Sequence, residues 1–147
     1  MKPAPFEYTR ASSVSDAVRC LEQADGDGKI IAGGQSLTPV LALRMARPAL
    51  LVDINRIPGL STIRQRDAHT LRIGSLVRHT QLIEQARHPL LAEAARWIGH
   101  TAIRSRGTFG GSIAHADPSA ELPLVATALD ATAVSYTHLT LPTICSV

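Results

Sequence analysis

Two glycine pairs constrain this chain more than any other feature. Lys29-Ile30-Ile31-Ala32 is an apolar, β-prone run that leads into Gly33-Gly34-Gln35-Ser36, and Leu37-Thr38-Pro39-Val40-Leu41-Ala42-Leu43-Arg44 then continues as a short helix. Strand, glycine turn and helix start in succession make a βα step of a layered α/β unit. Glycines in such a turn let an anion come close to the backbone N–H groups. The second pair lies far along the chain, in Thr108-Phe109-Gly110-Gly111-Ser112. Paired diglycines on two structural units suit a diphosphate ligand held by both. The residues alone leave plainer alternatives open, a tight turn at Gly33-Gly34 and a bend at Gly110-Gly111. Neither pair has the Gly-x-x-x-x-Gly-Lys-Ser/Thr or Gly-x-Gly-x-x-Gly spacing of the common nucleotide loops.

The pattern around the first pair is α/β. Ser12-Ser13-Val14-Ser15-Asp16 opens a helix with a serine cap and an acid in its first turn. Val14, Ala17, Val18 and Leu21 form its expected buried stripe, Asp25-Gly26-Asp27-Gly28 ends it, and Cys20 reads as a small core residue. Ala49-Leu50-Leu51-Val52 makes a second apolar strand, consistent with a small parallel sheet over residues 1–57. Pro58-Gly59 marks a junction. Beyond it, Ser61-Thr62-Ile63-Arg64 and Thr70-Leu71-Arg72-Ile73-Gly74 read as antiparallel strands. Two helices are expected next: Thr80 to Ala86, capped by Thr80, and Leu90 to Ile98 with Leu90, Leu91, Ala94, Ala95 and Ile98 on one face. Core packing is expected for Trp97, and His69, His79, His88 and His100 read as surface or capping residues. The fold class is therefore α+β, with residues 58–133 forming a second lobe.

Composition narrows the function classes. The 147 residues suffice for one domain or two small lobes, and 45% hydrophobic with 18% charged residues describes a globular chain. The net charge of +3 comes almost wholly from scattered arginines, and aromatic content is 3%. Nucleic-acid binding wants a basic stripe with interleaved aromatics, so that class is disfavoured. Cys20 and Cys145 are the only cysteines, too few for a cysteine-held cluster or zinc site within one chain. No run approaches membrane-spanning length, and Met1-Lys2-Pro3-Ala4-Pro5-Phe6-Glu7 does not resemble a signal peptide. A cytoplasmic location is the expectation. His115, Asp117 and Glu121 invite a metal reading, but loop spacing does not supply a coordination geometry, and no metal site is assigned. Asp117 reads as a loop brace, and Asp53 with Asn55 as a turn rather than a catalytic pair.

The ordered series of motifs resembles the FAD-binding medium subunit of the molybdenum hydroxylases, the group of aerobic carbon monoxide dehydrogenase and bacterial xanthine dehydrogenase. The resemblance rests on Ala32-Gly33-Gly34-Gln35-Ser36-Leu37 with Pro39 and Arg44, Val52-Asp53-Ile54-Asn55, and Leu71-Arg72-Ile73-Gly74. It continues through Arg106-Gly107-Thr108-Phe109-Gly110-Gly111-Ser112-Ile113-Ala114-His115-Ala116-Asp117-Pro118 and ends in Glu121-Leu122-Pro123. It runs from Phe6 to Ala133. The resemblance implies a two-lobed FAD-binding fold, a small N-terminal α/β lobe followed by an antiparallel-sheet lobe, incomplete here. It implies cofactor contacts at Ala32, Gly33, Gly34, Gln35, Ser36 and Leu37, and at Thr108, Phe109, Gly110, Gly111 and Ser112 in a second loop. The family places an acid, more often aspartate, at the position of Glu121, where it hydrogen-bonds the flavin's sugar-like chain.

The same resemblance implies an electron-transfer subunit in which FAD does the redox chemistry and no catalytic side chain is required. Iron–sulfur clusters would lie on a small partner subunit and the molybdenum cofactor on a large one, with NAD, a quinone or oxygen as acceptor. An independent flavin reductase or oxidase of the same fold is the alternative enzyme. Residues 134–147 do not match the family and lack strand alternation, and Pro142 suits a central strand poorly. On this reading the chain is a truncated fragment that exposes Leu122, Leu124, Val125, Leu129 and Ile113, folds incompletely and binds FAD poorly.

Overall fold

A computed structural model describes residues 1–138 and 141–146, with side chains described as far as Ser135. The chain is α+β and divides into two compact units, one built mainly on Met1–Pro58 and the other mainly on Gly59–Ser135. Among the described residues no helix is long and apolar enough to cross a membrane.

The first unit contains β1 (Glu7–Arg10), α1 (Val14–Gln23), β2 (Gly28–Ile31), α2 (Leu37–Ala42) and β3 (Leu50–Asp53). Its three strands are parallel in the order β1-β3-β2. The central strand carries the unbroken apolar run, and its Leu51, Val52 and Asp53 are all buried. Tyr8 on β1 and Ile30 on β2 lie on the open flanks, 51% and 46% exposed. β1 is an element that the sequence reading lacks. Its polar residues, Glu7-Tyr8-Thr9-Arg10, are stable as a strand only because each pairs with β3, from Glu7 opposite Leu50 to Arg10 opposite Asp53.

Helix α1 starts where its cap puts it. Ser13 Oγ accepts the Asp16 N–H at 3.0 Å, and the Asp16 carboxylate accepts the Ser12 N–H at 2.9 Å. Such a cap contributes about 1 kcal/mol. Ala17 and Val18 are buried, whereas Val14 is 39% exposed and Cys20 only half-buried, so the apolar stripe is narrower than its spacing suggests. Helix α2 stops at Ala42, short of Arg44, whose φ of 57° lies in the left-handed region.

The second unit opens with a hairpin of β4 (Ile63–Gln65) and β5 (Leu71–Ile73), antiparallel with Ile63 opposite Ile73. Five helices follow: α3 (His79–Gln85), α4 (Pro89–Trp97), α5 (Thr101–Arg104), α6 (Phe109–His115) and α7 (Glu121–Ala128). The unit is thus mainly helical, and its antiparallel sheet is short. Its core joins Val77, Leu82 from α3, Leu91, Ala94 and Ala95 from α4, and Leu122 and Val125 from α7. Ile63, Leu71 and Ile73 of the hairpin pack against that cluster.

Several side chains depart from expectation here. Leu122 is fully buried and Val125 6% exposed, because α7 closes the core that was expected to lie open. Leu124 on the opposite face is 68% exposed. On α4, Leu90 and Trp97 fall outside the buried face, at 42% and 71% exposure. The Trp97 indole N–H instead reaches the Glu93 carboxylate at 3.1 Å, one helical turn back. Helix α3 begins one residue before Thr80, with Arg78 as its cap residue and the Gln81 side chain accepting the Arg78 N–H at 2.8 Å. Downstream, β6 (Thr132–His138) and β7 (Leu141–Ser146) pair as a two-stranded sheet, so the tail does form strands. Pro142 is tolerated there because each strand of such a pair is an edge.

Candidate functional site

The register of the parallel sheet places the first glycine segment. Ile31 lies opposite Asp53, so Ala32–Ser36 emerges at the carboxyl end of the strands, where ligands of parallel sheets bind. Asn55 ties the segment to β3. Its Nδ2 donates to the Ala32 carbonyl at 2.8 Å and to Asp53 Oδ1 at 2.7 Å, and its backbone N–H donates to the same Oδ1 at 2.8 Å. Asp53 also accepts from the Tyr8 hydroxyl and pairs with Arg10 at 3.5 Å. Burial works against the Asp53 charge, but the bonds from Tyr8 and Asn55 and the nearby Arg10 hold its pKa below the ordinary carboxylate value. Asp53 and Asn55 thus make a turn and anchor the neighbouring loop as well.

Within the segment, Gly34 takes a φ of +70°, a conformation that disfavours any side chain. Its carbonyl accepts the Thr38 N–H at 2.9 Å, and the Gln35 side chain folds back to the Gly33 carbonyl at 2.9 Å. Among the described residues, the backbone N–H groups of Gly33, Gly34, Gln35 and Ser36 have no protein acceptor. The Ser36 hydroxyl makes no capping bond to α2. Four consecutive uncommitted donors followed by Leu37 form a turn able to receive an anion.

The second segment is in the opposite condition. Phe109 N–H donates to Val77 O at 2.8 Å and Gly110 N–H to Ser75 O at 2.9 Å. Gly111 N–H donates to Thr108 Oγ1 at 3.1 Å and Ser112 N–H to Thr108 O at 3.0 Å. Thr108, 2% exposed, is the cap of α6, so the expected loop is a short helix. The glycines answer to packing: a Cβ on Gly110 would sit 2.5 Å from Ser75 Cβ, and one on Gly111 2.7 Å from Thr108 Oγ1. Uncommitted N–H groups therefore occur at the first segment and not at the second, which corrects the expectation that both present bare backbone. What the second segment retains toward a ligand is hydroxyl chemistry.

Beside that segment lies His79, expected as a surface or capping residue. It is 3% exposed, and its Nε2 stands 3.1 Å from Ser112 Oγ. Nδ1 is buried without a hydrogen bond. Burial pushes the imidazole pKa down. The Thr108 backbone and the Glu121 charge oppose that shift, while Arg78 and Arg104 add to it. Glu121, at the start of α7 and half-buried, therefore belongs to the same neighbourhood. The signal for His79 was its spacing, since residues 79, 82 and 83 share the inward face of α3.

The family described as the FAD binding domain in molybdopterin dehydrogenase matches residues 4–141, past Ala133 where the motif resemblance stopped. The alpha subunit of the 6-hydroxypseudooxynicotine dehydrogenase complex of Paenarthrobacter nicotinovorans is 56% identical over 135 residues, covering 89% of this chain and 45% of that subunit. Carbon monoxide dehydrogenase from Hydrogenophaga pseudoflava, solved without the Mo-pyranopterin moiety of its molybdenum cofactor, superposes with a TM-score of 0.87 at 46% identity. It covers 91% of this chain and 48% of that one. Quinoline 2-oxidoreductase from Pseudomonas putida 86 gives a TM-score of 0.90 at 36% identity, over 99% of this chain and 52% of that one. The chain spans about half the length of the curated relatives it matches. By sequence and by fold, it belongs to the family of FAD binding domains in molybdopterin dehydrogenases.

Proposed function

We propose that this chain is the FAD-binding part of an electron-transfer subunit in a molybdenum-cofactor hydroxylase. The observation that carries the site is the row of uncommitted N–H groups at Gly33, Gly34, Gln35 and Ser36. This turn suits the FAD pyrophosphate, with the Ser36 hydroxyl as a further donor and Ala32 and Leu37 flanking it. Asn55 holds the turn by its bond to the Ala32 carbonyl. In the second unit, Thr108, Phe109, Gly110, Gly111 and Ser112 are the further cofactor contacts that the family resemblance implies, with Ser112 offering a hydroxyl, and Glu121 offers a carboxylate acceptor for a sugar-like hydroxyl.

When bound, the flavin supplies the redox chemistry, linking iron–sulfur centres on a small partner subunit to NAD, a quinone or oxygen. The molybdenum cofactor and organic substrate belong to a large partner subunit on this reading. With two cysteines in 147 residues, this chain cannot itself hold a four-cysteine cluster. The test is Gly34→Val in the full-length protein. Valine is strained at the Gly34 φ of +70°, and its Cβ would lie 2.9 Å from Thr38 Oγ1, so the N–H row is displaced and FAD affinity falls strongly. Stoichiometric flavin retained by a folded variant would reject the site.

A further inference from the structure

We propose that His79 is a positioning residue of the flavin site: it donates from Nε2 to Ser112 Oγ and thereby directs the Ser112 hydroxyl proton outward, to an acceptor oxygen of the cofactor. The inference rests on the FAD reading above and adds a residue to it.

The imidazole proton can sit on either ring nitrogen. Among the described residues Nδ1 is buried and has no hydrogen-bond partner, whereas Nε2 is 3.1 Å from Ser112 Oγ. A proton on Nδ1 would be a buried donor left unpaired, at a cost of about 1–3 kcal/mol. A proton on Nε2 finds the serine oxygen and leaves only a lone pair unmatched. The Gly107 backbone lies against this edge of the ring, since a Cβ there would stand 2.5 Å from Cε1 and 2.7 Å from Nδ1. Burial favours the neutral ring, the Thr108 backbone and the Glu121 charge favour the imidazolium, and Arg78 and Arg104 oppose it.

A serine hydroxyl has one proton to give. With its oxygen already accepting from His79, Ser112 is left as a donor toward whatever stands beyond it. This matters at the second segment because its backbone N–H groups are committed internally and cannot serve an anion. The hydroxyl is the donor that segment has to offer, and His79 sets its direction. The side chain acts through Ser112 and touches no reacting atom.

The experiment uses the full-length protein, with FAD affinity measured by flavin fluorescence and the imidazole tautomer by ¹⁵N NMR. His79→Gln keeps an amide donor at similar reach and should bind FAD within about threefold of the parent. His79→Leu and Ser112→Ala should each weaken binding about tenfold, the equivalent of one lost hydrogen bond. The double variant should be no weaker than Ser112→Ala alone, because the histidine works through the serine. NMR should show the proton on Nε2 in the parent. Unchanged FAD affinity in His79→Leu, or multiplying effects in the double variant, would mean a packing role and overturn the proposal. So would a proton found on Nδ1, a readout that stands even where His79→Leu does not fold. Failure of the parent to bind FAD is a different result: it removes the flavin reading and this inference with it.

Discussion

Gly110→Ala separates a glycine required by packing from one required by a ligand. The added Cβ would lie 2.5 Å from Ser75 Cβ, 2.7 Å from its Cα and 2.8 Å from its carbonyl oxygen. Carbon atoms in good contact stand about 3.5–4.0 Å apart, so one backbone must move by roughly 1 Å. That movement stretches the Gly110 N–H bond to Ser75 O, now 2.9 Å, which contributes about 1 kcal/mol. Overpacking of this kind costs about 1–3 kcal/mol. Alanine returns about 1 kcal/mol through its better helix propensity at this position in α6. The net expectation is a loss of about 1–3 kcal/mol. In a full-length protein that lowers Tm by about 2–4 °C per kcal/mol or less. Thermal unfolding of the full-length protein followed by circular dichroism measures it, with cofactor-free samples compared so that FAD linkage does not enter. A Ser75→Gly partner change should rescue little, because the Cα and carbonyl clashes remain. An unchanged Tm in Gly110→Ala would refute the packing argument and return this glycine to a ligand role.

Three further outcomes follow from the geometry. Asn55→Leu removes the side-chain bonds to Ala32 O and Asp53 Oδ1, and although the backbone N–H of residue 55 still serves Asp53, the part-buried Ala32 carbonyl loses its donor at about 1–3 kcal/mol, so both urea midpoint and FAD affinity should fall; a variant that changes neither would detach Asn55 from the site. Glu121→Gln removes a charge that favours the His79 imidazolium, so an NMR titration should find the His79 pKa lower than in the parent, and an identical value would place Glu121 outside its field. Stability should also depend on pH in two steps, measured by urea unfolding. The folded His79 pKa lies below its ordinary 6.5, so the unfolded chain binds more protons there; stability is full above about pH 6.5 and falls as pH drops below it. The folded Asp53 pKa lies below its ordinary 3.8, so its contribution is present above that value and is lost as pH falls further. A flat profile between pH 7 and 5, or one unaltered by His79→Gln, would contradict the first step.

Elements written in local pattern were legible in the sequence. Helix α1 follows from a serine cap and an apolar stripe, and β2 and β3 from short apolar runs, because these signals act within a few residues. The glycine turn after β2 was legible for the same reason. Other features are decided by distant partners. β1 is polar and becomes a strand only through its pairing with β3. Helix α6 contains Gly110 and Gly111, poor helix formers, and is held by Ser75 and Val77 some thirty residues upstream. The burial of Leu122 depends on α3 and α4 closing over α7, which no window around Leu122 displays. At the site, sequence could mark both glycine segments but not which of them keeps its N–H groups uncommitted. That distinction lies in long-range acceptors.

Whether the first segment receives the FAD pyrophosphate on its backbone is read from amide ¹H–¹⁵N shifts during FAD titration of the full-length protein. The amides of Gly33, Gly34, Gln35 and Ser36 gain an acceptor on binding, so their protons should move strongly downfield. The amides of Phe109, Gly110, Gly111 and Ser112 already have protein acceptors and should move little by comparison. Large downfield shifts at 109–112 with residues 33–36 unmoved would contradict the account.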